Sequence, residues 1–600
     1  MNLKVCYLRI LYKLVIILLI TLMIVSFSFF FSSVLYYSRV SASFSNIKNN
    51  KMVTTTLKFE QEKEVKKIRI IRTLTSPQSN LVDLTNDTYV AHSPIKIFSD
   101  ADILQYSFPG SGTEEDPYVI EHYNITALDE PTIVITNTTK VFVIQYCYLT
   151  TNQWYSIILT NNTKPLIIQN NKFVDIYTLG IVDIYNVDDY TNAIYIENCS
   201  QVSVYNNQFE VGAIIVEHSN NITILGNILK EGWVTVGYCK NILIESNYCA
   251  NTSWPTFGII AGSCEHITIR NNNCTNNELG GIGCEDSVDV KIIGNNCWKN
   301  KMYAGIGLIN VIKAEIKENK LSDNMQDNID IFGCKSVTVF NNTLINSRKF
   351  NSWYGNILGL GIWVDKWDEH SEDIIIEQNY IERNLVGVSV YRSEYITVRN
   401  NYINSSYVAG IKVFKAKATT ITYNTLSYNP YGVYVCGSKP TNVIDRFPSL
   451  FMSTSHSIRQ QQKGFDDNNT NYHEVIDAEK NSINFIHHNN FIDNNLNGTF
   501  NSQAYDDSTN TRWYDSRTHE GNYWSDWNGA GPYALDGSAH SFDLYPLPHS
   551  VTYHPFSFFD YWFVDPLLFL FLPFLLLSSF SYYFGTIKPK RIKKTKKTTK

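Results

Sequence analysis

The stretches "NITILGNILK" (residues 221–230), "NILIESNYCA" (241–250), "HITIRNNNCT" (266–275) and "DVKIIGNNCW" (289–298) are four copies of one pattern. It reads apolar, any, apolar, two residues, Asn, any, apolar: Ile222 and Ile224 before Asn227, Ile242 and Ile244 before Asn247, Ile267 and Ile269 before Asn272, Val290 and Ile292 before Asn295. Working outward, earlier copies end on Asn171 and Asn207, with Cys147 in the Asn place of the first. Later copies end on Asn319, Asn342, Asn379, Asn401, Asn424 and Asn489. Most steps are about 20–25 residues, the length of one solenoid coil. The steps from Asn171, Asn342 and Asn424 are longer, and each must carry a loop or an irregular coil.

Between these markers lies a second strand, usually opened by glycine: Gly258-Ile259, Gly281-Ile282, Gly305-Ile306, Gly361-Ile362, Gly387-Val388, Gly410-Ile411 and Gly432-Val433. Alternation of period two buries one face of each strand and wets the other. One coil cannot bury its apolar face alone, whereas stacked coils share a core. The fold class is therefore all-β, a right-handed parallel β-helix solenoid of about 12–14 coils with caps at both ends. Gly at a coil corner is expected to permit a bend, and the repeated Asn to tolerate left-handed geometry and hydrogen-bond along the stack. A leucine-rich or helical solenoid is excluded, because the strands are β-branched and no stretch holds a helical period.

The cysteines fall into the same register. Cys199, Cys239, Cys264 and Cys334 share a position filled elsewhere by Ser219, Ser287 and Ser393, while Cys249, Cys274 and Cys297 follow the Asn where other coils have Phe209, Leu229 or Leu321. Such positions are core, where a free thiol acts as a small hydrophobe. No CxxC pair supports zinc.

The full chain has a net charge of -6, 44% hydrophobic and 18% charged residues, which offers no electrostatic case for nucleic acid. The domains read as 1–45 signal peptide or membrane anchor, 46–95 polar linker, 96–495 repeats with a loop insertion about 439–482, 496–550 C-terminal cap, 556–586 transmembrane helix and 587–600 basic tail. The first apolar run, 14–37, follows Lys4, Arg9 and Lys13. The second, 567–584, carries no charge and precedes a Lys-rich tail that should stay cytoplasmic. The span between them is then extracellular, in keeping with sequons at Asn86, Asn124, Asn251, Asn341 and Asn497.

"FPGSGTEEDPYVIEHYNI" (108–125) lacks the repeat and reads as a first capping turn; "GNYWSDWNGAGPYALDGSAHSFDLYPL" (521–547) is aromatic, Gly-rich and reads as the closing cap. An uncapped β-helix end is an exposed sheet edge. Together with the Asn-turn coils these two motifs resemble archaeal surface β-helix proteins of the NosD-like class, within the pectin-lyase-like superfamily. The resemblance covers about residues 96–547. It implies a periplasmic or surface protein, in the name-giving members one linked to copper-site maturation. Here residues 528–541 replace the Asp-rich segment that usually follows Trp-Ser-Asp, so no metal ligand is carried over.

The superfamily also implies polysaccharide lyases, hydrolases and epimerases, which need carboxylates and basic groups. The catalytic candidates are Asp330, Asp365, Arg392 and Lys412, with Asp368, Glu369 and His370 nearby, and none stands in a recognised motif. The expected ligand surface is the outward side of the Gly-led strand. Early coils present Tyr195 and Glu197, Ile215 and Glu217, then Gly237, Gly262 and Gly283. From Asp330 and Phe332 the series becomes Trp363 and Asp365, Ser389 and Tyr391, Lys412 and Phe414, then Tyr434, an aromatic strip edged by charge. Loops carrying Trp353 and Trp367 fall beside it; the strip is either an exposed binding surface or a face that these loops cover and keep dry. Asp506, Asp507 and Asp526 are the one place where calcium is conceivable; no other cofactor is expected. The function read from the chain is a membrane-anchored surface protein that binds glycan or a cell-surface protein, or builds the envelope. The alternatives are a carbohydrate-active enzyme and an accessory protein for copper-site maturation.

Overall fold

The computed structural model describes residues 89–551 apart from 128–129, 152, 176–191, 253–255, 348, 352–355, 368, 437–482, 496–497 and 499. All of these belong to one compact unit, Leu84–Lys600. The terminal apolar runs, the basic tail, Trp353, Asp368, the insertion at 439–482 and the sequons at Asn86 and Asn497 lie outside the described residues. Among the described residues no helix is long and apolar enough to cross a membrane.

A typical coil has three strands: Glu265–Arg270 on a first face, Asn273–Thr275 on a second and Gly280–Glu285 on a third. The first-face strands form one 15-stranded sheet. The second and third faces merge into a 29-stranded sheet, because Gln208–Glu217 and Ile228–Gly237 run unbroken through the corner between them. Every pairing along the stack is parallel, and about 13 turns of β-solenoid result. The expected register holds. Ile244, Ile269, Ile292 and Ile316 are successive partners on the first face, and Ile259, Ile282, Ile306 and Ile329 on the third. All are fully buried, each contributing about 1.5–3 kcal/mol of hydrophobic stabilisation.

The asparagines form a continuous ladder inside the first corner. Asn295 Oδ1 accepts the Asn272 backbone N–H (2.9 Å) and its Nδ2 (3.0 Å), while Asn295 Nδ2 donates to Ile269 O (2.9 Å) and Asn319 Oδ1 (3.1 Å). The same bonds repeat from Asn171 to Asn489 and on to Asn522. The ladder Asn is not the left-handed residue. Positive φ falls one position earlier, on Asn206, Gly226, Ser246, Asn271, Gly294 and Glu318. The turn therefore has two divided roles: the preceding residue reverses the chain, and the Asn, folded inward, satisfies the carbonyls and N–H groups that the reversal strands in a buried corner.

A second ladder, not read from the sequence, lines the corner before the third face. Asn277, Asn300 and Asn324 follow one another, and Ser406, Asn429 and Asn494 continue the column nearer the C-terminal end. Its signal is an Asn five positions after the first: Asn272 and Asn277, Asn295 and Asn300, Asn319 and Asn324. The third corner uses the Cys/Ser position. The side-chain sulfur or oxygen of one coil accepts the backbone N–H of the coil before, as in Cys239 N to Cys264 Sγ (3.3 Å) and Cys264 N to Ser287 Oγ (3.1 Å). All ten described cysteines are free and buried.

The corner glycines serve a different end from the one expected. Gly281, Gly305, Gly361, Gly387 and Gly410 do not occupy the left-handed region. A Cβ on Gly281 would lie 2.4 Å from Gly305 O and 2.9 Å from Cys297 Cβ; on Gly361 it would lie 2.3 Å from Gly387 O. Close approach between coils, rather than a bend, demands glycine here.

The stack is longer than expected at both ends. Val90–Ala91 and Ile95–Ile97 already pair with later coils, so the first coil begins inside the expected linker. Tyr118–Glu121 and Tyr123–Ala127 are regular rungs, not a cap. At the far end Ala504–Asp506, Thr511–Arg512 and Tyr523–Trp524 add strands to all three faces. The Asn ladder closes on Asp543, whose Oδ2 accepts Asn522 N (2.7 Å) and Trp524 Nε1 (2.9 Å). A carboxylate ends the series because it accepts twice and demands no further partner.

Candidate functional site

Third-face register places the outward side chains as expected. Gly307, Asp330, Trp363, Ser389, Lys412, Tyr434 and Tyr505 form one column. Phe332 and Asp365 stand in the parallel column, followed by Tyr391, Phe414 and Cys436.

The strip is not an exposed one. Asp330 (1%), Phe332 (6%), Asp365 (1%), Tyr391 (6%), Lys412 (4%) and Phe414 (5%) are buried, and only Trp363 and Tyr434 are half-exposed. Tyr391, Phe414 and Cys436 make a small apolar cluster outside the main core, with Tyr434 against it. The Tyr391 and Phe414 ring centroids are 4.6 Å apart, and Tyr434 stacks on Tyr505 at 4.5 Å. Alternation in a strand determines the direction of a side chain, not what lies over it. The long loops beside these coils leave a covered strip as the alternative from sequence, and Tyr391 and Phe414 are covered.

Two charged arrangements sit within this face. Asp365 and Arg392 form a bidentate pair, Nε to Oδ1 at 2.9 Å and Nη2 to Oδ2 at 2.7 Å, and Lys366 N–H adds a third bond at 2.7 Å. Burial raises the Asp365 carboxyl, and the guanidinium works against that rise. Lys412 Nζ lies 5.7 Å from the Tyr391 ring centroid and 6.0 Å from that of Tyr434, within cation–π range. The sequence named Asp365, Arg392 and Lys412 without anticipating that the first two pair. His370 Nδ1 lies 2.6 Å from Arg392 O, and Glu369 pairs with Lys335 at 3.0 Å, both at the exposed edge.

The second arrangement surrounds Asp330. Burial pushes the Asp327 carboxyl up to about 6, and burial together with the neighbouring Asp327 carboxyl pushes Asp330 well above the carboxylate range. Asp327 Oδ1 also accepts Leu360 N–H at 2.5 Å. Asp330 Oδ1, Tyr303 Oη and Trp363 Nε1 are all buried without a hydrogen-bond partner. Here the second ladder detours, Asn324 Nδ2 donating to Asn328 Oδ1 (3.0 Å) and Asn328 Nδ2 to Asn384 Oδ1 (3.1 Å). An antiparallel hairpin, Lys349–Asn351 with Asn356–Leu358, is inserted beside this detour. Asp327 and Tyr303 were missed because neither occupies a repeat position: both come from loops that join the second face to the third.

The expected calcium carboxylates face protein donors. Asp506 accepts Trp513 Nε1 (2.8 Å), Ser541 Oγ (2.7 Å) and Ser508 N (2.9 Å), and Asp526 accepts Gln503 Nε2 (2.6 Å) and Tyr533 Oη (3.0 Å).

The molecule is thus a parallel β-solenoid with one specialised outward face. A family model described as periplasmic copper-binding protein (NosD) matches residues 178–363 and 351–529, more than half of the chain, and the chain belongs to that family. No curated protein matches it. Among solved structures it is similar to a double mutant of the periplasmic alginate epimerase AlgG (12% identity, 54% of this chain and 84% of that one, TM-score 0.31). It is also similar to PfbA, a surface adhesin of Streptococcus pneumoniae (12%, 52% and 86%, TM-score 0.34). The catalytic domain of a GH87 alpha-1,3-glucanase is a third (16%, 59% and 67%, TM-score 0.37).

The family's description implies copper, and the described residues do not fit a copper centre. Among them no three His, Cys, Asp or Glu side chains converge. The thiols, the best soft donors, point into the core or accept backbone N–H groups; the neighbouring Cys274 thiol and burial push Cys249 well above its ordinary value. His487 and His488 face each other Nδ1 to Nδ1 at 2.6 Å, and His488 Nε2 is taken by Glu520 at 2.8 Å.

Proposed function

We propose that this protein is a membrane-tethered, extracytoplasmic, right-handed β-helix that binds glycan along its third face. The observation that supports this reading is the change in outward residues at Asp330. Gly283 and Gly307 give way to a column with partly exposed aromatics, Trp363 and Tyr434, and a buried Lys412 between them, with the buried Asp365–Arg392 pair beside it. Trp367, half-exposed, lies parallel to Phe332 at 6.4 Å and extends the aromatic surface outward. Aromatic faces bordered by fixed hydrogen-bonding groups suit sugar rings, which present C–H faces and hydroxyl edges. Right-handedness follows the general preference of parallel crossovers. The tether rests on the uncharged run 567–584 and the Lys-rich tail behind it.

The test is a glycan array probed with the full-length chain in detergent. Wild type should retain a glycan, and Trp363→Ala and Tyr434→Ala should each weaken binding about tenfold or more, as loss of a stacking aromatic does. Tyr391→Ala should instead destabilise by about 3 kcal/mol, since its ring is packed in the small cluster, and its binding should follow the folded fraction. Full binding by both Trp363→Ala and Tyr434→Ala, or no glycan retained by wild type, counts against the reading.

A further inference from the structure

The column immediately before Asp330 has a floor of glycine, Gly283 and then Gly307, and two aromatic rings lie in the trough this leaves. Three Phe257 ring atoms lie 3.4 Å from where a Gly283 Cβ would be, and Tyr303 Cε1 lies 2.8 Å from the corresponding point on Gly307. The rings meet edge to face at 5.8 Å. At the end of the trough Tyr303 Oη, Asp330 Oδ1 and Trp363 Nε1 come from three successive coils, and all three are buried and unpartnered. A buried polar atom without a partner is costly, and folded proteins rarely retain such atoms without cause. Asp330 and Trp363 are neighbours in one outward column and the Tyr303 ring lies over Gly307 in the same column, so each orphaned atom can still take one hydrogen bond on this face.

We infer that the Tyr303 side chain is a gate over a subsite for one neutral sugar ring, which takes the place of the phenol over Gly307 and pairs its hydroxyls with Asp330, Trp363 and the displaced Tyr303 hydroxyl. This rests on the third face being the glycan-binding face. The motion is a side-chain rotation, because the loop backbone is pinned: Met302 and Tyr303 N–H both donate to Leu279 O, at 3.1 and 2.6 Å. A neutral ring is indicated because the charges near the Tyr303 hydroxyl are Asp330, Asp327 and Glu285, with no basic group among them. A uronate would meet repulsion there. Asp330 Oδ1, with no partner of its own, offers a sugar hydroxyl an acceptor.

The experiment titrates the full-length chain with neutral and uronate oligosaccharides of equal length, using Tyr303→Phe, Asp330→Asn and Trp363→Phe, with thermal unfolding in parallel. Tyr303→Phe keeps the ring and removes an orphaned hydroxyl, so its melting temperature should hold or rise while affinity for the neutral sugar falls at least fivefold. Asp330→Asn and Trp363→Phe should weaken the same ligand similarly, and the neutral series should be preferred tenfold or more. Preference for uronates, or unchanged affinity in all three variants while Tyr434→Ala still weakens binding, overturns the subsite and leaves the face intact. Failure of the folded wild type to bind any oligosaccharide overturns both.

Discussion

Asp327 shows how one residue outside the repeat alters the behaviour of its surroundings. Its carboxyl is pushed up to about 6 by burial, although Leu360 N–H and Asp330 act to lower it. A carboxyl whose folded value exceeds its unfolded one holds its proton more tightly when folded. Its contribution to stability is therefore fully present below about pH 4 and is lost as pH rises through about 6. His487, lowered to about 4 mainly by burial, has the opposite sign: its contribution is present above about 6.5 and is lost as pH falls through about 4. Asp327→Asn isolates the first effect, because the amide oxygen can still accept Leu360 N–H. The melting temperature of wild type minus that of the variant should fall between pH 4 and pH 7. Parallel curves for the two proteins would show that folding does not raise the Asp327 carboxyl.

At the level of the coil, the corner ladders and the close-packed glycines set tolerance to substitution. Asn295→Ala leaves Asn272 N–H buried without its partner and takes one bond from Ile269 O, at about 1–3 kcal/mol, whereas exposed Asn296→Ala should stay within about 0.5 kcal/mol. Urea unfolding midpoints of the two variants measure that difference. Glycines separate in the same way. Gly281→Ala forces a methyl against Gly305 O and Cys297, an overpacking cost of about 1–3 kcal/mol. Gly262→Ala meets nothing within 4 Å and should leave the midpoint unchanged or slightly raised. Equal loss at both positions would mean that backbone freedom, rather than space between coils, is what the corner requires.

The solenoid is quasi-one-dimensional: each coil contacts its two neighbours, and the C-terminal end is closed by sequence of its own. Asp543 terminates one ladder, and Val551 N–H donates to Asn490 Oδ1 at 2.6 Å, tying the chain back to the second face. The proposed tether lies beyond this point. Protease added to intact cells should then remove the solenoid and leave a fragment bearing the Lys-rich tail, detected with an antibody to residues 587–600. A solenoid that resists protease until the membrane is opened would reverse the topology.

The repeat, the register and the identity of inward residues were legible in the chain alone, because stacking forces every coil to place its Ile, Val and Cys in the same column and to place an Asn at the same corner. The five-residue offset from Asn272 to Asn277 and from Asn295 to Asn300 was equally present, though only the structure made its role apparent. The extra rung through Asn522 lacked the apolar spacing that marks the others. What the tertiary structure alone decided was exposure and partnership on the outward side. Period-two alternation points Tyr391 and Phe414 away from the core with no record of what packs over them. Asp327 and Tyr303 reach Asp330 from loops, 3 and 27 residues away along the chain, at positions no repeat constrains. The core was predictable because its neighbours are set by local periodicity; the candidate site was not, because its neighbours are set by where irregular segments fold back.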